Sequence, residues 1–187
     1  MALTQDQKDA FFEHHLPHRL CLLTTFRDRQ SWFTERIGRE DCDLLRASKD
    51  SALIAIRMFA EFLGLKNGSR RDPKPDDVFV EMLGCDRVEL AGLPRDEREV
   101  IAVLTLRSNK ELAHLTTTYA DQIKFNNAEI IVKGINIIER LLREKVYALA
   151  KDRNGQPYPF PTLEQQKMIY GHECELVGGY RLTPPTE

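Results

Sequence analysis

Long apolar runs are absent. No stretch of the 187 residues approaches the ~20 apolar residues a bilayer-crossing helix needs, so no membrane partner is expected. The opening residues, MALTQDQKDAFFEHH, are polar and hold no apolar signal core. A cytoplasmic location is the expectation. Cysteine is sparse: Cys21, Cys42, Cys85 and Cys174 are scattered and show no C-x-x-C spacing. That spacing fits free thiols in a reducing compartment. An excess of one charge is missing too. There are 27 Lys and Arg against 29 Asp and Glu, for a net charge of −2 and a pI near 6.2. A protein that coats nucleic acid would be basic over its whole domain; a local basic patch is not excluded. Metal-ligand clusters are absent as well. His14 and His18 stand one helical turn apart, but no Glu occupies the general-base position of a metalloprotease motif. His172 and Cys174 are too few for a metal site. Surface histidines, no metal and no cofactor are expected. There is no internal repeat and no low-complexity tract.

What is present is ordinary globular composition, 42% hydrophobic and 30% charged, in a chain long enough for a sizeable core. Helical periodicity dominates. Thr4 is placed to cap a first helix running to about residue 15. Pro17 interrupts or restarts it. Leu16, Leu20, Leu23, Phe26, Trp32, Phe33 and Ile37 then continue the pattern to Gly38. Asp41 or Asp43 opens a long helix through Leu63, closed by Gly64. Arg57 sits inside its apolar run, either as a functional or interface charge or as a stem snorkelling to water.

Residues 66–75, KNGSRRDPKP, form a loop by their Asn-Gly, Asp-Pro and Lys-Pro signals. They carry the densest basic stretch of the chain, including Arg70 and Arg71, either a solvated loop or a contact for a phosphate backbone. A short helix is predicted over 76–83. Another is predicted over 95–115, and a last long one from Asn126 or Asn127 to about residue 151. The fold expected is all-α: a helical bundle of four to five main helices over residues 1–151. Prolines 157, 159, 161, 184 and 185 mark a proline-rich C-terminal extension, 152–187, which packs on the bundle or reaches a neighbour.

The 95–115 segment organises the rest. Val100, Ile101, Val103, Leu104, Leu106, Leu112 and Leu115 recur at three- and four-residue steps. Asp96, Glu97 and Glu99 favour its N-terminus. Arg107 and His114 are seven residues apart, so they point within roughly 20° of one direction, with Glu111 between them. They are also roughly 10 Å apart along the axis, and Arg107 leans away from His114 because helical side chains tilt toward the N-terminus. One chain cannot easily close both on one small group. An antiparallel copy of the helix, with its two-fold axis near Lys110 and Glu111, would bring Arg107 of one chain beside His114 of the other. A symmetric homodimer with a composite site follows as an expectation. The bland alternative is a solvated face whose Arg107–Glu111 pair contributes a few tenths of a kcal/mol.

The run LRSNKELAHLT, residues 106–116, resembles the signature of the HEPN superfamily, an Arg, four to six variable residues and a His. Its form is similar to the abortive-infection U-type branch. The gap here is six residues, and Ser108 stands where members often carry Asn, Asp or His. The resemblance extends over motif, length and helix order, roughly residues 3–150. It implies a small helical domain acting as a dimeric, metal-independent endoribonuclease in a phage-defence or toxin–antitoxin setting, with RNA as substrate and a cognate antitoxin as partner. On that basis Arg107 and His114 would be catalytic, Asn109, Lys110 and Glu111 supporting, and Arg70 and Arg71 RNA-binding. Other members bind nucleotides or scaffold partners. The alternatives are therefore a non-catalytic nucleotide-binding or protein-interaction bundle, and an antitoxin or regulatory subunit.

Overall fold

The computed structural model describes residues 2–29, 41–65, 77–111 and 128–162, and within them not the side chains of 41–44, 107 and 109–111. The chain is an all-α helical bundle. Helix α1 (Gln5–Ala10) passes through one π turn (Phe11–His15) into α2 (Leu16–Asp28). Helix α3 spans Asp41–Leu63, α4 spans Arg95–Glu111, and α5 spans Ala128–Leu142. A second π turn, Arg143–Tyr147, continues α5. None of the described helices is long and apolar enough to cross a membrane.

Thr4 caps α1 as its position suggests. Its Oγ1 accepts from the Gln7 N–H at 3.3 Å, and Gln7 Oε1 accepts the Thr4 N–H at 2.9 Å, a reciprocal capping box. Pro17 falls just inside α2, after the π turn. The widened turn passes the Leu16 N–H to Phe11 O, five residues back. This gives the proline ring room where a tight α turn would clash with it. The helix therefore restarts without breaking.

Four stripes at alternating four- and three-residue steps make the core. Leu16, Leu20 and Leu23 come from α2, and Ala52, Ile56, Phe59 and Leu63 from α3. Ile101 and Leu104 come from α4, and Ile131, Ile135, Ile138 and Leu142 from α5. Each fully buried Leu or Ile contributes roughly 1.5–3 kcal/mol of hydrophobic stabilisation. Helix α3 packs against α2, α4 and α5 and is the centre of the bundle. Helix α4 crosses α5, where Asp96 pairs with Lys133 at 2.8 Å and Glu97 with Arg140 at 2.7 Å. The acidic start of α4 thus has specific cationic partners as well as its helix N-terminus.

Gly64 ends α3 in the left-handed region at φ +91°. Its N–H donates to Glu61 O at 3.2 Å and the next N–H, of Leu65, to Ala60 O at 2.8 Å, a Schellman closure. A Cβ at Gly64 would lie 2.2 Å from the Arg87 side chain, whose guanidinium donates to Gly64 O.

Several boundaries differ from expectation. Helix α2 ends at Asp28, and Trp32, Phe33, Ile37 and Gly38 lie outside the described residues. The predicted helix over 76–83 is reduced to one 3-10 turn, Val80–Leu83, because only Val80 and Leu83 reach the core, too few anchors for a full helical face. The last helix stops near residue 147, short of 151, where a bridge from Lys151 to Pro157 turns the chain back. Asn126 and Asn127 lie outside the described residues.

Candidate functional site

Helix α4 turns one side inward. Val100, Ile101, Leu104 and Ser108 are buried, while Val103 is 40% and Leu106 54% exposed. Ser108 is enclosed because it continues the inward line of Ile101 and Leu104, and its hydroxyl donates to Thr105 O at 3.0 Å. The outward line is unusual for a helix of a lone bundle, since two large apolar residues stand on it. Position 107 falls about 40° around the helix from Val103, and position 110 about 20° on its other side. Positions 107 and 110 thus lie along an uncovered apolar stripe. Arg107, Asn109, Lys110 and Glu111 belong to α4 by backbone, but their side chains lie outside the described residues, as do His114, Arg70 and Arg71 altogether.

Ser108 also forms part of the wall of a cleft of about 730 Å³ between the α1–α2 helix, α3 and the 77–79 segment. That size is within the range of small-molecule sites. Rings make much of its lining. Phe11 lies 5.8 Å from Phe62 and 6.1 Å from His15, centroid to centroid, with tilts of 39° and 31°. Phe59 meets Phe62 edge-on at 6.5 Å. Two guanidinium groups stand on the same cleft. Arg57 Nε lies 3.3 Å from Glu61 Oε1, with its side chain one-third exposed. The snorkelling reading and the functional one both leave it here, a partly exposed charge at an apolar cleft. Arg19 is exposed on the cleft and makes no hydrogen bond or ion pair among the described residues.

The cleft has a one-dimensional signature in the sequence. Phe11, His15 and Arg19 recur at four-residue steps along one continuous helix. His14 and His15 are exposed, as expected of surface histidines, while His18 is half-buried. No group of three or more potential metal ligands occurs among the described residues.

A second hollow, about 360 Å³, lies beside Thr24, Arg27, Glu139, Arg143 and Phe160. Its charges are consumed internally. Arg27 donates to Glu139 at 2.5 Å and to Asn136 at 2.8 Å. Arg143 donates to Glu139 and covers the Phe160 ring at 3.8 Å. Such a closed network fastens the C-terminal segment to α2 and α5; the cleft at Arg19 has the chemistry left open for a ligand.

No protein-family model, curated protein or solved structure gives a significant match to the chain.

Proposed function

We propose that the protein is a HEPN-like, metal-independent endoribonuclease that works as a homodimer, in a phage-defence or toxin–antitoxin setting with a cognate antitoxin as partner. The observation that carries this reading is the exposed Val103–Leu106 stripe on the helix that carries position 107, where the Arg107-x6-His114 motif begins. An antiparallel pairing of two chains about Lys110 and Glu111 would turn that stripe toward the partner chain. It would bring Arg107 of one chain to His114 of the other, which one chain cannot easily do for itself.

In the reaction, the RNA 2′-hydroxyl attacks the adjacent phosphorus. The 2′-oxygen–phosphorus bond forms as the phosphorus–5′-oxygen bond breaks, leaving a 2′,3′-cyclic phosphate and a 5′-hydroxyl. His114 accepts the 2′-hydroxyl proton, a role suited to an imidazole that titrates near neutrality. The leaving oxygen takes a proton from water. Arg107 grips the phosphate with its planar fork and stabilises the charge that builds on it. Asn109, Lys110 and Glu111 orient this pair, and Arg70 and Arg71 contact the strand's phosphates.

The test is cleavage of RNA in the presence of a chelator by wild type, Arg107→Ala and His114→Ala. Activity lost in both variants, with the helical signal and melting temperature retained, supports the reading. A wild type that cleaves no RNA overturns it in favour of a non-catalytic nucleotide-binding or interaction bundle. Val103→Glu with Leu106→Glu is the companion variant. Monomeric mass and loss of cleavage together support the helix pairing; an unchanged dimer overturns it.

A further inference from the structure

We propose that the cleft between the α1–α2 helix and α3 binds one unpaired nucleotide of an RNA strand, the base against the Phe11–Phe62 rings and its phosphate on Arg19. This rests on the ribonuclease reading for the identity of the strand, but the cleft's chemistry stands apart from the motif.

The argument begins with what each wall offers. The ladder His15–Phe11–Phe62 lines the cleft and runs from exposed His15 through half-buried Phe11 to buried Phe62. The cleft therefore offers an aromatic wall that continues from its buried floor to solvent. Nucleobases stack on such faces whatever their sequence. Arg19 stands two helical turns beyond Phe11 and one beyond His15. It is a guanidinium with no described partner, at the rim of an apolar hollow. A structural arginine at such a place would be expected to bond a carboxylate or carbonyl, as Arg57 does with Glu61 3.3 Å away and Arg27 with Glu139. An aromatic seat and an uncommitted planar cation suit a ligand that is flat at one end and anionic at the other. A lipid chain would leave Arg19 unused, and a bare phosphate would leave the rings unused. The buried Ser108 wall joins this cleft to the motif helix. A base seated here would thus lie beside the helix that carries Arg107 and would select an unpaired nucleotide near the cut. Double-stranded RNA, whose bases are stacked on one another, has none to offer.

Three probes separate the outcomes: a five-nucleotide single strand made uncleavable by 2′-O-methyl groups, a nucleoside 5′-monophosphate, and an RNA duplex. Binding is measured by calorimetry for wild type, Arg19→Glu and Phe11→Leu, with circular dichroism to confirm that each variant is folded. Arg19 is exposed, so its variant tests the site even if Phe11→Leu fails to fold. The single strand is expected to bind more tightly than the monophosphate and much more tightly than the duplex. Arg19→Glu is expected to weaken it roughly ten-fold or more and to reduce the salt slope by about 0.7, one phosphate contact. Phe11→Leu is expected to weaken it roughly ten-fold by loss of the stack. Wild-type affinity in both folded variants overturns the cleft assignment, and if RNA is still cleaved the ribonuclease reading survives it. Monophosphate bound as tightly as the strand overturns the strand as occupant. Arg19-dependent binding of the strand by a wild type that cuts no RNA supports the cleft and removes the nuclease.

Discussion

Tyr158 lies flat on Phe12, ring centroids 3.9 Å apart and planes within 5°. Around that stack the C-terminal segment is tied to the first helix. The Tyr158 hydroxyl donates to Asp9 and accepts from Gln5 Nε2 at 2.8 Å. Arg153 bridges Asp6 and Asp9. The hydrogen bonds from Tyr158, then Arg153 and Gln5, hold the Asp9 carboxyl down to about 2 from its ordinary 3.8.

An acid-sensitive latch follows. Above the ordinary carboxylate range Asp9 is ionised in both folded and unfolded chain, and its favourable contacts count in full. Between about 4 and 2 the unfolded chain takes up the proton first, so stability falls as pH falls. Urea midpoints measured from pH 6 to pH 2 are expected to decline through this window. Asp9→Asn should lower the midpoint at pH 6 and flatten the decline. A decline of undiminished steepness in Asp9→Asn would assign the acid sensitivity to other carboxylates.

Gly134 in the middle of α5 is where Leu104 of α4 seats. A Cβ there would stand 2.2 Å from Leu104 Cδ1 and 3.4 Å from Ile56 Cδ1. Alanine is the better helix former by about 1 kcal/mol, yet Leu104 is wholly buried and has little room to move. Overpacking of this kind costs about 1–3 kcal/mol, so Gly134→Ala is expected to be net destabilising. Its cost should shrink when Leu104 is also replaced by Ala, a coupling that a double-mutant cycle measures. Additive losses would show that the two sites do not meet.

How much of this was legible in the sequence depends on which force decides each feature. The stripes at Ile56, Phe59 and Leu63, and at Ile135, Ile138 and Leu142, are one-dimensional patterns, and burial follows period. Thr4 and Gln7 announce their capping box because both partners are local. Residues 76–83 misled because a short apolar run has no length to choose between a helix and a single turn. The cleft was harder. Phe11, His15 and Arg19 share a stripe that is visible along the chain, but its other wall, Arg57 and Phe62, comes from another helix. No local rule pairs the two. The open state of Arg19 is likewise visible only once its neighbours are placed. Arg107 and His114 are marked by resemblance and spacing, and what the fold adds is the uncovered Val103–Leu106 line beside position 107.

Tyr147 is almost wholly buried, wedged edge-on between Phe12 at 5.1 Å and Phe160 at 4.9 Å. Its hydroxyl has no hydrogen-bond partner among the described residues, and burial pushes its ionisation well above the ordinary tyrosine range. A buried donor without a partner is a standing cost. Tyr147→Phe keeps the ring packing and removes that group. The variant is expected to be more stable by about 1 kcal/mol, read as a higher urea midpoint at unchanged slope. A less stable variant would mean that the hydroxyl is bonded.

Complementation between inactive chains gives the sharpest test of the composite site. Arg107→Ala and His114→Ala are each expected to be inactive as homodimers. Mixed, unfolded and refolded together in equal amounts, they should form heterodimers as about half of the dimers by random pairing in a two-fold assembly. If Arg107 of one chain works with His114 of the other, one of the two sites in each heterodimer is intact, and about a quarter of wild-type cleavage returns. If both residues of a site came from one chain, no site in the heterodimer would be complete and nothing would return. Adding Val103→Glu and Leu106→Glu to both chains is expected to abolish the recovery, because the uncovered stripe on α4 is the surface through which the halves would meet. Recovery that persists in those variants would move the chain-to-chain contact away from α4.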